Sequence, residues 1–353
     1  MRRREFLVGT AAAGAAAIAG MTGAGAQGQA PVAGQAPPAG GQRQGASAGR
    51  GRGPAPAQVP AAKLARIAIM SLDHGSILKL PWNATPTETQ TLALMDLPQY
   101  YIDAYGVHNV EFQHTHLVNG TRTAPDPAFF REFKAKFDQV GSKANQINIE
   151  IGVITNLTPE ARAEWVALGK KWVDAAPILG VTRLMLNQTG LDDVNKAGVI
   201  SVWKETQDYA KPKGIKISAE TRGNGVPTGG IRGREAGAAA AAPPPPQPPI
   251  PSAARTRLVW QVLEEAAEAA GGYTNLDFGG AGRFLNQREL NDAIKGMLKS
   301  NSGQMHIKSS PDWDLGTAVR YAESIGYKGL YTIEVNPDPA IRIVYNTILA
   351  NLA

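Results

Sequence analysis

The chain has 353 residues, no Cys and a formal net charge of +6. That length can bury one large core, and the lack of Cys excludes both a disulfide framework and a lipoprotein anchored through an N-terminal Cys. The charge does not point to nucleic acid: residues 1–62 hold six Arg and one Glu, so the rest of the chain carries about +1 and shows no basic cluster.

Arg2-Arg3-Arg4-Glu5-Phe6-Leu7 has the form of a twin-arginine export motif. An Ala/Gly-rich stretch follows, and Ala24-Gly25-Ala26 fits small-x-small cleavage. Residues 1–26 are therefore expected to be a signal for the twin-arginine machinery, which places the protein in the periplasm or outside the cell. The apolar run is too short and too rich in Gly for a stable membrane anchor. Residues 27–62 are mostly Gly, Ala, Pro and Gln with scattered Arg. They have little to bury and are expected to form a disordered linker.

From residue 63 strand and helix patterns alternate. Strand one is 65–70, followed by a loop with Asp73, His74 and Trp82, then a helix over 92–105. Strand two is 109–113, with Glu111 on its polar face and His114 and His116 just beyond. The helix at 127–141 carries Phe129, Phe130, Phe133 and Phe137 at helical spacing, a core stripe. Strand three is 147–151, and a long helix over 159–179 places Trp165, Leu168 and Trp172 on one face. Strand four is 182–187, ending at Asn187; the helix at 199–211 is stopped by Pro212. Strand five is 214–220, with Arg222 just after it.

Residues 223–256 break the rhythm with Gly, an Ala run and Pro243-Pro244-Pro245-Pro246, a low-complexity insertion. Helices at 257–270, 287–299, 315–325 and 339–352 then alternate with strands six, seven and eight at 274–277, 304–308 and 330–334. Eight strands alternating with helices predict an α/β fold, a (β/α)8 TIM barrel over residues 63–353. A doubly wound sheet is disfavoured because no Gly-rich phosphate loop follows strand one.

The last four strands share one feature. Side chains alternate across a strand, and Glu220, Asp277, His306 and Glu334 each take the polar parity at or near a strand's end. In a TIM barrel those ends form the mouth that carries the active site. Three carboxylates and an imidazole suit one divalent ion: Mn²⁺, Mg²⁺, Co²⁺ or Zn²⁺. Lys308 shares the inward face of His306, Glu111 takes the polar parity within strand two, His116 lies at that strand's rim, and Asn187 and Arg222 lie at the ends of strands four and five. Trp313 sits on a mouth loop and could stack on a sugar ring. These six are the expected substrate contacts.

Ser218-Ala219-Glu220-Thr221, Asn275-Leu276-Asp277, Met305-His306-Ile307-Lys308 and Tyr327–Glu334, in that order and strand context, resemble the xylose-isomerase-like superfamily of sugar isomerases and epimerases. The resemblance spans the whole barrel. It implies that all four residues bind one metal and that Glu220 and Glu334 are a catalytic acid/base pair on opposite faces of a substrate carbon, working through an enediolate. The ketose 3-epimerase branch of this superfamily also carries a His shortly after the Asp and an Arg soon after the metal-binding His. Here Phe278-Gly279-Gly280 and Ser309-Ser310-Pro311-Asp312-Trp313 stand instead.

The expected activity is thus a sugar isomerase or epimerase on a small carbohydrate. The alternatives are a lyase eliminating from a keto sugar at the same metal, and a non-catalytic carbohydrate-binding barrel. Apurinic-site endonucleases resemble this barrel too, but they assemble several zinc ions and need more His than the five present. The superfamily often forms dimers or tetramers, so a homo-oligomer is compatible with this reading.

Overall fold

The computed structural model describes residues 59–152, 154–155, 157–186, 190–221, 257–279, 284 and 286–353. The leader at 1–26, most of the expected linker, the insertion at 223–256, Asn187 and Arg222 lie outside the described residues. A short helix at Ala61–Leu64 falls within the end of the stretch expected to be linker.

Eight parallel strands close into a barrel: β1 (Ile67–Met70), β2 (Asn109–Gln113), β3 (Lys143–Ile149), β4 (Arg183–Leu186), β5 (Lys216–Glu220), β6 (Tyr273–Asp277), β7 (Asn301–Ile307) and β8 (Leu330–Ile333). Each pairs with its neighbours in sequence order, and β8 closes on β1 through Ile67, Ala68 and Ile69 opposite Tyr331, Thr332 and Ile333. Helices α1 (Leu97–Tyr105), α2 (Pro127–Val140), α3 (Pro159–Leu179), α4 (Lys196–Ala210), α5 (Val259–Ala270), α6 (Gln287–Met297), α7 (Leu315–Ser324) and α8 (Asp338–Asn351) follow the strands. This is the (β/α)8 TIM barrel that the alternation predicts. Among the described residues no helix is long and apolar enough to cross a membrane.

The main core lies between the sheet and the helices. On α2, Phe130, Phe133 and Phe137 recur at three- and four-residue steps and are buried. Phe133 and Phe137 meet Phe112 of β2 edge-on at 5.4 and 5.8 Å. Phe133→Ala would leave a cavity there and cost about 3–5 kcal/mol. Trp165 and Trp172 of α3, seven residues apart, bury the next face.

Two elements depart from the sequence expectation. The helix expected over 92–105 begins only at Leu97, because Leu92–Ala93 pairs with Leu78–Lys79 in a small parallel sheet. Pro98 suits the first turn of the helix, where its missing N–H is not needed. Strand three starts at Lys143, not Ile147. Its pairing with β2 slips by one residue between Val110 and Glu111, opposite Ala144 and Gln146. Asn145 is the extra residue of this bulge. The bulge lets the consecutive Asn145 and Gln146 both reach lumen groups, an arrangement strict alternation forbids.

Candidate metal centre

Glu220, Asp277, His306 and Glu334 converge at the C-terminal mouth, each offering a ligand atom within 4.8 Å of the others. Strand register explains the convergence. Asp277 pairs with His306 across β6 and β7, and His306 with Thr332 across β7 and β8. Glu334 lies two residues beyond Thr332, and Glu220 pairs with Asn275, two residues before Asp277. The pairing of β6 with β7 shifts by two residues between Thr274 and Leu276. A two-residue shift keeps parity, so Gln304 and His306 remain on the lumen face. Gly303 makes this kink with φ +97°, and Asn301 Oδ1 accepts from the Gly303 and Gln304 amides at 2.7 and 3.0 Å.

His306 is fully buried and bonded on both sides. Its Nε2 lies 2.8 Å from Glu111 Oε1, while Nδ1 lies 3.2 Å from Glu220 Oε2 and 2.9 Å from Glu334 Oε2. Burial alone would lower the imidazole's pKa; Glu111 and Glu334 beside it raise it well above the usual value. Lys308 Nζ bridges Asp277 Oδ2 at 2.8 Å and Glu334 Oε1 at 3.0 Å. Burial would lower that ammonium, but Asp277 and Glu334 hold it high. Burial raises Asp277, with Lys308 opposing and Glu334 and Glu220 adding to the rise. Glu334 is also raised by burial, yet Lys308 and His306 hold it well below the ordinary carboxylate range. Gly279 lets Lys308 pass, since a Cβ there would stand 2.6 Å from Lys308 Cβ.

These residues fit a divalent cation. Glu111, Glu220, Asp277 and Glu334 place four carboxylates against two cations, His306 and Lys308, leaving two negative charges to balance. Buried charge of one sign is costly unless paired or coordinated to metal. Glu334 Oε2, though close to Nδ1, is buried and out of line for any hydrogen bond. With Nε2 turned to Glu111, Nδ1 faces Glu220 and Glu334, and loss of its proton would free a lone pair for a metal with Glu111 as the outer carboxylate that ligating imidazoles usually have.

The other expected contacts divide. Lys308 joins the cluster. Glu111, expected against substrate, is fully buried instead, and its oxygens are taken by Gln146 (3.0 Å), Gln304 and His306. His116 is buried with Nδ1 2.9 Å from Ser71 Oγ, and burial lowers it to about 4. Trp313, expected to stack on a sugar, is itself buried and packs edge-on against Phe278 at 5.8 Å. With Phe278, Gly279, Phe284, Ser309, Ser310 and Pro311 it lines a cavity of about 110 Å³. Asn187 and Arg222 lie outside the described residues.

Three residues at the site were not anticipated. Gln304 donates to Glu111, and its signal was plain: it shares the inward parity of His306 two residues on. Gln146 was hidden by the bulge. Asp73, in the turn after β1, is buried, and burial and then Glu334 raise its carboxyl well above the usual range. A lone Asp on a loop gives no such signal in sequence.

No protein-family model and no curated protein matches the chain. Solved structures do. A xylose isomerase-like TIM barrel protein from Mycobacterium smegmatis in complex with magnesium is 15% identical, covers 83% of this chain and 99% of its own, and has a TM-score of 0.54. For 3-keto-D-glucoside 4-epimerase from E. coli the values are 11%, 81%, 98% and 0.53. For an L-ribulose 3-epimerase they are 13%, 80%, 86% and 0.52. At these identities the likeness concerns architecture: the chain has the fold of the xylose-isomerase-like TIM barrels.

Proposed function

We propose that this chain is a divalent-metal-dependent isomerase or epimerase of sugars, carried out of the cytoplasm by a twin-arginine leader at residues 1–26. The observation that carries the reading is the orientation of His306, whose Nε2 is turned to Glu111 so that Nδ1 joins Glu220, Asp277 and Glu334. The fold is shared with proteins named as sugar epimerases and with one named as a magnesium complex, which agrees with both halves of the proposal.

Glu220, Asp277, His306 and Glu334 would hold the ion. When bound, it supplies positive charge that polarises a substrate carbonyl and makes the neighbouring C–H acidic. Glu334, kept ionised by Lys308 and His306, takes that proton as base. Glu220, from strand five across the cluster, returns a proton to the same carbon or its neighbour. Lys308 neutralises charge at the site and is placed to donate to a substrate oxygen.

The test is metal content of the purified chain, wild type beside Glu334→Gln and His306→Ala. The expected result is about one ion per wild-type chain, lost from His306→Ala, with catalysis in Glu334→Gln lowered by about 10²–10⁴-fold. Keto sugars in deuterated water should then exchange the proton beside the carbonyl. A folded wild type that takes up no Mn²⁺, Mg²⁺, Co²⁺ or Zn²⁺ would sink the proposal. An unsaturated product in place of an isomer would make it a lyase.

A further inference from the structure

At the opposite end of the barrel, where the strands begin, lies a cavity of about 450 Å³. It opens between α2, α3 and the starts of β2, β3, β4 and β8, with Phe137, Ala144, Leu179 and Leu330 as its apolar walls. Its volume falls in the range of small-molecule sites.

The charged groups around it have a clear balance. Lys134 and Asp138 on the rim pair with each other. Arg183 lines the cavity, spends its Nε on Ser302 O at 2.9 Å, and has no carboxylate partner among the described residues. Its two Nη groups have no hydrogen-bond partner there either. Lys143, exposed on the same wall, also lacks an ion pair among them. Behind Arg183, Lys216 Nζ reaches the same Ser302 carbonyl at 3.2 Å and likewise meets no acid among the described residues. Half-buried guanidinium and ammonium groups without a direct ion pair are unusual, because desolvating a charge is costly unless it is paired; here Arg183 feels Glu111 only at a distance and Lys216 lies 4.8 Å from the centre of the Tyr273 ring. Burial lowers the pKa of both, with Tyr327 and Glu111 opposing it at Arg183 and Arg183 adding to it at Lys216.

Two residues that line the cavity also hold a polar atom without a partner, buried beneath its wall. Ser142 is 6% and Asn145 7% exposed, and neither Ser142 Oγ nor Asn145 Oδ1 has a hydrogen bond. The Asn145 amide cannot simply be turned over, because its Nδ2 donates to Gln304 Oε1. Among the residues that line the cavity, the Arg183 Nη groups and Lys143 Nζ are donors that ask for an acceptor. We propose that this cavity binds a small oxyanion, a carboxylate or a phosphate, with Arg183 as its principal anchor. The planar guanidinium suits either a carboxylate or a phosphate. This site stands apart from the mouth cluster and does not depend on the function assigned there.

The test is calorimetric titration of the full chain, stripped of metal, with gluconate and with a hexose phosphate, ionic strength held constant with sodium chloride. One saturable site is expected. Arg183→Met should weaken it about tenfold or more. Lys143→Glu, an exposed change that leaves packing alone, should weaken it severalfold. Lys308→Met should leave it within about twofold, because that lysine is at the other end of the barrel. Preference for gluconate identifies a carboxylate; preference for the hexose phosphate identifies a phosphate. The proposal is overturned if neither anion binds, or if binding survives both Arg183→Met and Lys143→Glu but is lost in Lys308→Met, which would place the anion at the mouth. Circular dichroism of each variant separates lost binding from lost fold.

Discussion

The two ends of this barrel are built from the same eight strands and carry opposite charge. At the C-terminal mouth, carboxylates outnumber cations around His306. At the N-terminal base, Arg183, Lys143 and Lys216 make no ion pair among the described residues. Between them runs a column of side chains: His306 to Glu111, Glu111 to Gln304, Gln304 to Asn145. The contrast teaches that a TIM barrel lumen need not be an apolar plug. Here it is a polar core, with an excess of carboxylates at one end and cations without ion pairs at the other.

The sharpest way to break the comparison is at Glu111, the carboxylate that ties the mouth to the column. Glu111→Gln keeps the shape but sets a new amide donor against Gln146 Nε2 or Gln304 Nε2, which are donors themselves. Metal affinity should fall by about 10–100-fold, the usual effect of losing an outer partner of a ligating His. Isothermal titration with Mn²⁺ measures it, and Arg183→Met should leave the same affinity within about twofold. Unchanged affinity in Glu111→Gln would mean that Glu111 supports the fold and not the ligand.

Glu111 also shows where the sequence stopped being legible. Its inward parity on strand two was readable. What faces it across the lumen was not, because that depends on the shear of a closed barrel, and so a hydrogen-bonded anchor was expected to be a substrate contact. Glu220, Asp277, His306 and Glu334 were easier, since each ends a short run of plain alternation and their strands are successive neighbours. Strand three was misplaced because its bulge puts Asn145 and Gln146 on one side, which destroys the period-two signal just where the strand begins. Trp313 followed from loop position, and loop position does not reveal that the ring is buried and packs edge-on with Phe278.

The ends should also differ toward acid. His74 and His116, beside β1 and β2 at the mouth, are buried and lowered to about 4. A His with its folded pKa depressed binds its proton more readily when unfolded. Stability is therefore full above pH 6.5 and falls as pH drops from about 6.5 toward 4, by up to about 1.4 kcal/mol per pH unit for each group. Urea unfolding at pH 6.5 and pH 5.0, where most carboxylates of the unfolded chain are still ionised, should show the loss. His116→Asn should recover about 1.5 kcal/mol of it. Equal losses in both proteins would mean that His116 is protonated without strain. The base has no buried His among its described residues (His108 is exposed), so no substitution there should flatten the curve.

The smallest effect expected is communication between the ends. A cation at the mouth and an anion at the base attract through the lumen, so each should tighten the other, and linkage requires the two factors to be equal. The column between them is made of side-chain amides and one carboxylate, each bonded to its neighbours. Such groups can polarise one another, but nothing in the column offers two discrete arrangements for a ligand to choose between. The coupling should therefore be about twofold, below the usual range for allosteric pairs. It is read by titrating Mn²⁺ with and without saturating gluconate, then gluconate with and without Mn²⁺. Asn145→Ala, which cuts the column at its base, should leave the factor nearly unchanged if the attraction acts through space. A tenfold coupling that Asn145→Ala abolishes would show instead that the column moves, and the two ends would have to be treated as one switch.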